Sequence, residues 1–572
     1  MLLFDSLHGA STAMSAGQLG MQVVGQNLAN VQTAGYARER LDLAAGTSRK
    51  LGSGAVVGTG VQVSGVVQVI DKFLEERLRT STSDASSTAA QSQYYTQLEA
   101  LLNETTDNDL SSTLSEFFNA IDNIQNEPEN VEYRSMVVQQ GQKLTQDING
   151  LSAAIVEMQR DVNTAITDAA ARINELLQTI NGLNKNITQI ETVNGREALG
   201  LRDQRLAALT ELSQLVNIKT TESKETKAVS IYCGSNILLA DGKVHEVSVD
   251  VKTYKDGTKL PLAQLYVKDN HSDQPATRLD VKSGTVYGLY QAHETVLGGY
   301  YNKLNDFTRN LITEFNEIYT SGQGLTGYGE LTALTQVDDV DGALIEVLTE
   351  PAVSNGAFFI QLFRKETDGR FTLVKDKQIN IDENTTLQDI ADSINGVDGI
   401  KAAINNFGEL KIESENPYEV FSFAEDSSGV LSALGLNTFF TGTSAGNIGI
   451  NQTVIDNPAT FAASIGGAGQ DVENGVTLSA MSVAAKNALG GASIRDYYGG
   501  LVSETILAAG TMKAVAESDT LYQQALQTQR DAVSGVNVDE ETILMMTYQR
   551  MYQANSRLVS MINEMLETLI AM

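Results

Sequence analysis

Tryptophan is absent from this 572-residue chain, and cysteine occurs once, at Cys233. A lone cysteine excludes an intrachain disulfide framework and a cysteine-built metal centre. The four histidines are scattered. His245 and His293 each precede a glutamate, but neither is followed by a second histidine one helical turn on, so the zinc-protease pattern is not met. Proline is scarce, and all six residues lie between Pro128 and Pro458, which leaves both ends of the chain free to form long helices. No apolar run approaches the roughly 18 residues of a membrane-spanning helix. Residues 1–20 carry neither a basic leader nor an unbroken apolar core, so a classical cleaved signal peptide is not expected. Basic residues are outnumbered, 40 against 71 acidic, for a net charge of −31. Nucleic acid and anionic membrane surfaces need a basic footprint and are not expected partners.

What the two ends do contain is periodicity. Leu544, Tyr548, Met551, Asn555, Leu558, Ile562, Met565, Leu569 and Met572 recur in alternating steps of four and three. That is a heptad seam, buried along one narrow stripe against another helix. Asn537 followed by Glu540 reads as a capping-box start, and Gly535 stops the helix before it. Asn555 is the one polar member, expected to fix register. At the other end Leu7, Ala10, Met14, Gly17, Met21, Val24, Leu28 and Val31 repeat the same spacing. Residues 1–34 carry a single formal charge, Asp5, where a lone surface helix would show a charged outer face, so cover on more than one side is expected. Gly9, Gly17, Gly20 and Gly25 each cost a helix interior about 1 kcal/mol against alanine. This segment should therefore order mainly by docking, and the other terminal seam is the candidate partner.

Asn27-Leu-Ala-Asn30-Val-Gln-Thr33-Ala-Gly35-Tyr36 closes the first helix. Gly35 suits the left-handed position that ends a helix, and Asn30 and Thr33 can bond free backbone groups. This stretch resembles the N-terminal signature of the bacterial flagellar axial proteins, the rod, hook and hook-associated family. Ser534-Gly-Val-Asn-Val-Asp-Glu-Glu541, followed by Tyr548-Gln-Arg-Met-Tyr-Gln-Ala-Asn-Ser-Arg557, resembles the matching C-terminal signature. Leu201-Arg-Asp-Gln-Arg205 is similar to a run in the same family. The resemblance covers both ends well, the flanking helical parts moderately and the middle weakly.

Between the ends the pattern is nested. Residues 46–70 are rich in Gly, Val and Ser with rough alternation and read as an extended or hairpin linker. Leu98, Leu101, Leu102, Leu114, Phe117, Phe118, Ile121 and Ile124 lie on helical faces that end before Pro128. A long seam from Leu144 to Ile190 has a stutter at Met158, Val162 and Ile166 and spans roughly 70 Å as a helix. A shorter helix over Leu199–Val216 folds back on it. The period shifts to two over 226–285, with hairpin signals at Asp241-Gly242 and Asp256-Gly257. Helix returns over Tyr290–Ile318. An insertion over 322–475 carries a strand at Phe371–Ile381, a helix at Leu387–Ile394 and strands at Ala402–Ile404 and Leu410–Ile412. Helix resumes from Leu478 to Val533.

Catalytic patterns are not sustained. Gly442-Thr-Ser444-Ala-Gly446 matches a nucleophile elbow, but no histidine follows Ser444 and it reads as a loop. Gly52-Ser-Gly54 and Gly58-Thr-Gly60 lack dinucleotide spacing. Cys233 sits in an apolar strand pattern as a small core residue. No catalytic, cofactor or metal site is expected.

The expected fold is mainly α with inserted β and α+β parts. A terminal coiled coil is formed by 1–45 with 536–572. A helical bundle uses 46–225, 286–321 and 476–535. A hairpin-rich segment fills 226–285, and an outer mainly-β domain fills 322–475. The resemblance implies a non-enzymatic flagellar subunit standing where hook meets filament, assembled head-to-tail through its terminal helices. Its implied partners are copies of itself, hook protein, other hook-associated proteins on the filament side, and an export chaperone on the C-terminal helix. It implies secretion without a cleaved signal. The assembly residues would be Leu7, Met14, Met21, Val24, Asn27, Leu28, Asn30, Gly35 and Tyr36 with the C-terminal seam. The alternatives are a hook or rod subunit, or a secreted adhesin acting through 322–475.

Overall fold

The computed structural model describes residues 2–33, 35–50, 56–102, 109–252, 260–268, 275–349, 351–367, 370–467 and 471–571. Met572, the Gly52-Ser-Gly54 run and the Asp256-Gly257 turn lie outside the described residues. The chain forms two compact units, one of residues 1–94, 160–294 and 510–572, the other of 95–159 and 295–509.

The first unit holds both ends of the chain. Its N-terminal helix is Leu2–Ala29 and its C-terminal helix Val538–Ala571. Strands Glu39–Ala45 and Val61–Gln68 pair antiparallel, with a bulge at Asp42/Leu43, in keeping with the extended or hairpin linker expected over 46–70. The later part of the long helix Val131–Asn194 and the helix Leu199–Leu215 supply the core, with Ile166, Ile173, Leu177, Ile180, Ile187 and Leu212 fully or almost fully buried. Two antiparallel sheets accompany them. One is ordered Lys219–Glu222, Val229–Cys233, Asn236–Ala240, Lys243–Val244; the other, Thr277–Arg278, Leu262–Val267, Val247–Lys252. The Asp241-Gly242 turn has positive φ at both residues, 49° and 75°, as a two-residue hairpin of this hand requires.

The long helix grips these strands through asparagines. Asn163 bonds Pro261 O and Ala263 N, Asn174 bonds both backbone groups of Val247, and Asn184 bonds both of Val229. A carboxamide offers one donor side and one acceptor side, so it pairs with a strand edge much as another strand would.

The second unit combines helices and β structure around aromatic rings. Phe117, Phe315, Phe439, Phe440 and Phe461 are fully or almost fully buried. Phe117 and Phe315 both lie within 6 Å of the Phe439 and Phe440 rings, centroid to centroid. Residues 439–461 therefore pack on helices Leu110–Asn123 and Gly298–Thr320. The insertion expected to stand apart up to residue 475 is anchored at its base by these rings. Its outer part has two three-stranded antiparallel sheets: Phe371–Ile381, Gly356–Lys365, Glu419–Ala424; and Glu330–Thr332, Leu410–Ser414, Ile400–Ile404. Helix Leu387–Asn395 opens on a reciprocal capping box between Thr386 and Asp389. The helix expected over Tyr290–Ile318 is continuous from Thr285 to Thr320 with a π turn at Ala292–Leu297, whereas the helix expected from Leu478 to Val533 is broken, Glu473–Ala480 being separated from Ile494–Ser534.

Candidate assembly interface

The terminal helices pair antiparallel. Gly20 lies beneath the Tyr548 ring, so a Cβ added there would come within 2.7 Å of three ring atoms. Gly17 faces Met551 and the Tyr548 carbonyl at 3.2 and 3.4 Å on the same construction. At Gly20 the approach is too close for a side chain, while at Gly17 a Cβ would need the Met551 side chain to give by only a few tenths of an ångström. On another side the N-terminal helix meets the strand pair, where Gly60, at φ 101°, abuts the Gly9 backbone. The nearly charge-free helix is thus covered on two sides within its own chain.

At the root of the pair the two signatures meet. The Asn27 Oδ1 atom accepts from the Tyr36 hydroxyl and Glu39 N, both at 2.9 Å. Its Nδ2 donates to Glu39 O at 2.9 Å and to Glu541 Oε2 at 3.0 Å. All four hydrogen bonds open to an asparagine side chain are made. Arg38 Nε donates to Glu541 Oε1 at 2.7 Å, and Arg38 Nη1 to Glu540 Oε2 at 3.0 Å. Asn27 and Glu541 are each 1% exposed, so the carboxylate is neutralised and bonded inside the protein rather than by water. Around them Arg530 pairs with Glu75 and bonds Gly35 O, while Asp203 accepts from Ala37 N and Gln68. Burial pushes the Asp203 carboxyl up to about 6 and raises Glu39, and it raises the Tyr36 phenol well above its ordinary range.

The expected site residues fall into three groups. Val24, Asn27 and Ile562 are buried. Leu7, Met14, Met21, Leu28, Asn30, Tyr36, Leu544, Tyr548, Met551 and Asn555 are half-buried. Gly35, Leu558, Met565 and Leu569 are exposed. Three local expectations are corrected. Asn555 bonds Met551 O of its own helix, so register is set at Asn27–Glu541 and Gly20–Tyr548 instead. Asn537 caps the helix by accepting from Asp539 N and Glu540 N, but the Glu540 carboxylate is drawn to Arg38 rather than back to the cap. Gly35 is left-handed, φ 80°, yet the helix has ended at Ala29, where Asn30 N and Nδ2 bond Gln26 O. Sequence reasoning gave no role to Arg38, Glu541, Arg530 or Asp203. The available signal was the presence of Glu541 and Asp203 in the runs that carry the family resemblance.

The Leu201–Arg205 run divides its charges. Arg202 forks onto Glu191 with two 2.7 Å bonds, Arg205 reaches Asn184, Lys227 O and Glu222, and Asp203 holds the loop after the first helix. Ser444 donates to Asn447 within a turn. Burial pushes the Cys233 thiol up to about 12. Among the described residues no three metal-ligating side chains converge, and no helix is long and apolar enough to cross a membrane.

Residues 95–332 match the family described as the flagellar hook-associated protein FlgK helical domain. Residues 527–572 match the flagellar basal body rod FlgEFG protein C-terminal family, and 367–416 the flagellin hook IN motif. Flagellar hook-associated protein 1 of Bacillus subtilis is 26% identical, with 99% of this chain and 98% of that protein covered. The Escherichia coli K12 protein of the same name is 22% identical, with 99% of each covered. In fold, the flagellar hook junction protein FlgK from Burkholderia pseudomallei is similar at a TM-score of 0.50 and 14% identity, over 80% of this chain and 100% of that one. A paired-terminus architecture with these matches is that of a bacterial flagellar axial protein. Within that class, the relatives matched over 99% of this chain are flagellar hook-associated protein 1 of Bacillus subtilis and of Escherichia coli K12.

Proposed function

We propose that this chain, a structural subunit of the bacterial flagellum, joins hook to filament by packing its terminal helix pair against the same pair in neighbouring copies. One observation carries the reading. Pairing in cis uses one stripe of the C-terminal helix and leaves a second exposed: Ile543 at 59%, Met546 at 46%, Met561 at 56% and Met565 at 43%. By helical geometry Ile543, Met561 and Met565 share a face turned roughly 50–100° from the seam that meets the N-terminal helix. Large apolar side chains left exposed along one side of a helix mark an interaction surface. Contacts between copies are head-to-tail, so the assembly is open and helical. Before assembly the same face needs cover, which an export chaperone supplies, and the chain leaves the cell without a cleaved signal. The partners on either side are hook protein and the further hook-associated proteins that lead to the filament.

The test is Met561→Asp in cells lacking the native chain. Hooks should form normally while filaments are shed into the medium. Filaments held as in wild type, at equal expression of the variant, would contradict the reading.

A further inference from the structure

Four cations of this strongly acidic chain converge on one recess that the assembly reading leaves without a role. Lys72 and Arg79 come from helix Lys72–Leu102, Arg202 and Arg205 from helix Leu199–Leu215, and Thr220 and Glu222 join them from strand Lys219–Glu222. All lie in the first unit, and the recess encloses about 370 Å³. Arg202 and Arg205 are the cations of the Leu201–Arg205 run, and their spacing of three residues places both on one side of the helix.

Three of the four cations are engaged. Arg202 forks onto Glu191, while Arg205 and Lys72 share the Glu222 carboxylate at 3.0 and 2.6 Å. Arg79 is placed differently. Its half-buried guanidinium makes one long hydrogen bond, from Nη2 to the Thr220 hydroxyl at 3.4 Å, and no carboxylate is bonded to it among the described residues. Of the carboxylates nearby, Glu75 is held by Arg530 and Glu76 is exposed. A guanidinium carries five N–H donors, so most of the bonding capacity of this one is unused. Burial works against its charge, and Glu75 and Glu76 offset that only in part. In a chain with 71 acidic residues, a half-buried cation left without a bonded carboxylate points to an anion supplied from outside.

We infer that the recess binds a free oxyanion of the phosphate class, with Arg79 as its principal ligand and Lys72 and the Thr220 hydroxyl beside it. A tetrahedral ion accepts donors from several directions at once, which suits groups carried by a helix and a strand. A planar carboxylate takes a fork of donors in one plane, as Glu191 does from Arg202. The Lys72 side chain is 80% exposed, and its ammonium has three donors, enough to serve Glu222 and the ion together. Arg202 and Arg205 add positive potential to the lining. The bound ion ties helix Lys72–Leu102 to strand Lys219–Glu222 and so braces the unit that carries the terminal pair. Binding of this kind needs no second copy and is read on the monomer.

The test is calorimetric titration of the purified full-length chain with inorganic phosphate, at an ionic strength held constant with sodium chloride. Wild type should take up one phosphate per chain. Arg79→Gln should bind about tenfold more weakly or worse, the loss expected for hydrogen bonds to a charged group, and Arg79→Lys should fall between the two. No saturable uptake by wild type up to about 10 mM phosphate, or equal affinity in Arg79→Gln, overturns the inference. Should the variants melt too early to titrate, phenylglyoxal labelling of wild type decides. Phosphate should protect Arg79 in the peptide map, and equal labelling of Arg79 with and without phosphate overturns the site.

Discussion

The Asn27 carboxamide donates to the Glu541 carboxylate at 3.0 Å across 514 residues of sequence, and both side chains are buried. This single bond ties the end of the first helix to the start of the last. Asn27→Ala removes four hydrogen bonds and leaves one oxygen of Glu541 without its partner. The expected loss is about 3 kcal/mol, read from urea unfolding. Asn27→Asp sets a second carboxylate against Glu541 and should cost more than Asn27→Ala. Wild-type stability in Asn27→Ala would remove this node from the account.

Gly20 and Tyr548 make a second, steric prediction. Gly20→Ala places a methyl group 2.7 Å from ring atoms and should cost about 2 kcal/mol through overpacking. Tyr548→Leu should recover part of that loss in the double variant. Additive losses would mean that the two residues do not touch in solution.

Protons supply a third. Asp203 has its carboxyl raised to about 6 from an ordinary 3.8, because burial outweighs its bonds to Ala37 N and Gln68 and the nearby Arg530 charge. The folded chain therefore holds this proton more tightly than the unfolded chain. Its contribution to stability is full below about pH 4 and is lost as pH rises through about 6. Glu39 is shifted in the same direction, chiefly by burial and then by Asp203. Urea midpoints of wild type should fall relative to Asp203→Asn between pH 4 and 6.5. A constant difference across that interval would count against the burial of Asp203.

Cys233 gives a simple readout of the first unit. Its thiol is buried and shifted up to about 12, so Ellman's reagent should not react with the native chain at pH 8 and should react fully in urea. Rapid native labelling would show that the sheet around it opens.

Much of the terminal architecture is written in spacing. Leu544 to Ile562 and Ala10 to Leu28 repeat with the helical period, and a period survives in any single sequence. The strand at Phe371–Ile381 was legible for the same reason, since its alternation is bounded by turn residues. Of the joints, only Asn27 stood among the expected assembly residues, and its strand-gripping role was not legible. Asn27, Asn163, Asn174, Asn184 and Asn395 each grip a strand backbone, Asn395 through both groups of Ala402. A carboxamide used this way has no periodic partner in the sequence. Arg38 with Glu541, and Arg530 with Glu75, lie 503 and 455 residues apart, and nothing local marks them as pairs. The aromatic base of the insertion was missed because Phe439, Phe440 and Phe461 sit among short turns, where burial leaves no stripe.

An electron cryomicroscopy map of the hook–filament joint tests the central claim most directly. It should show Asn27 against Glu541 within each copy, and Ile543, Met561 and Met565 covered by neighbouring copies. Terminal helices lying apart, or that apolar face open to water in the assembled joint, would contradict it.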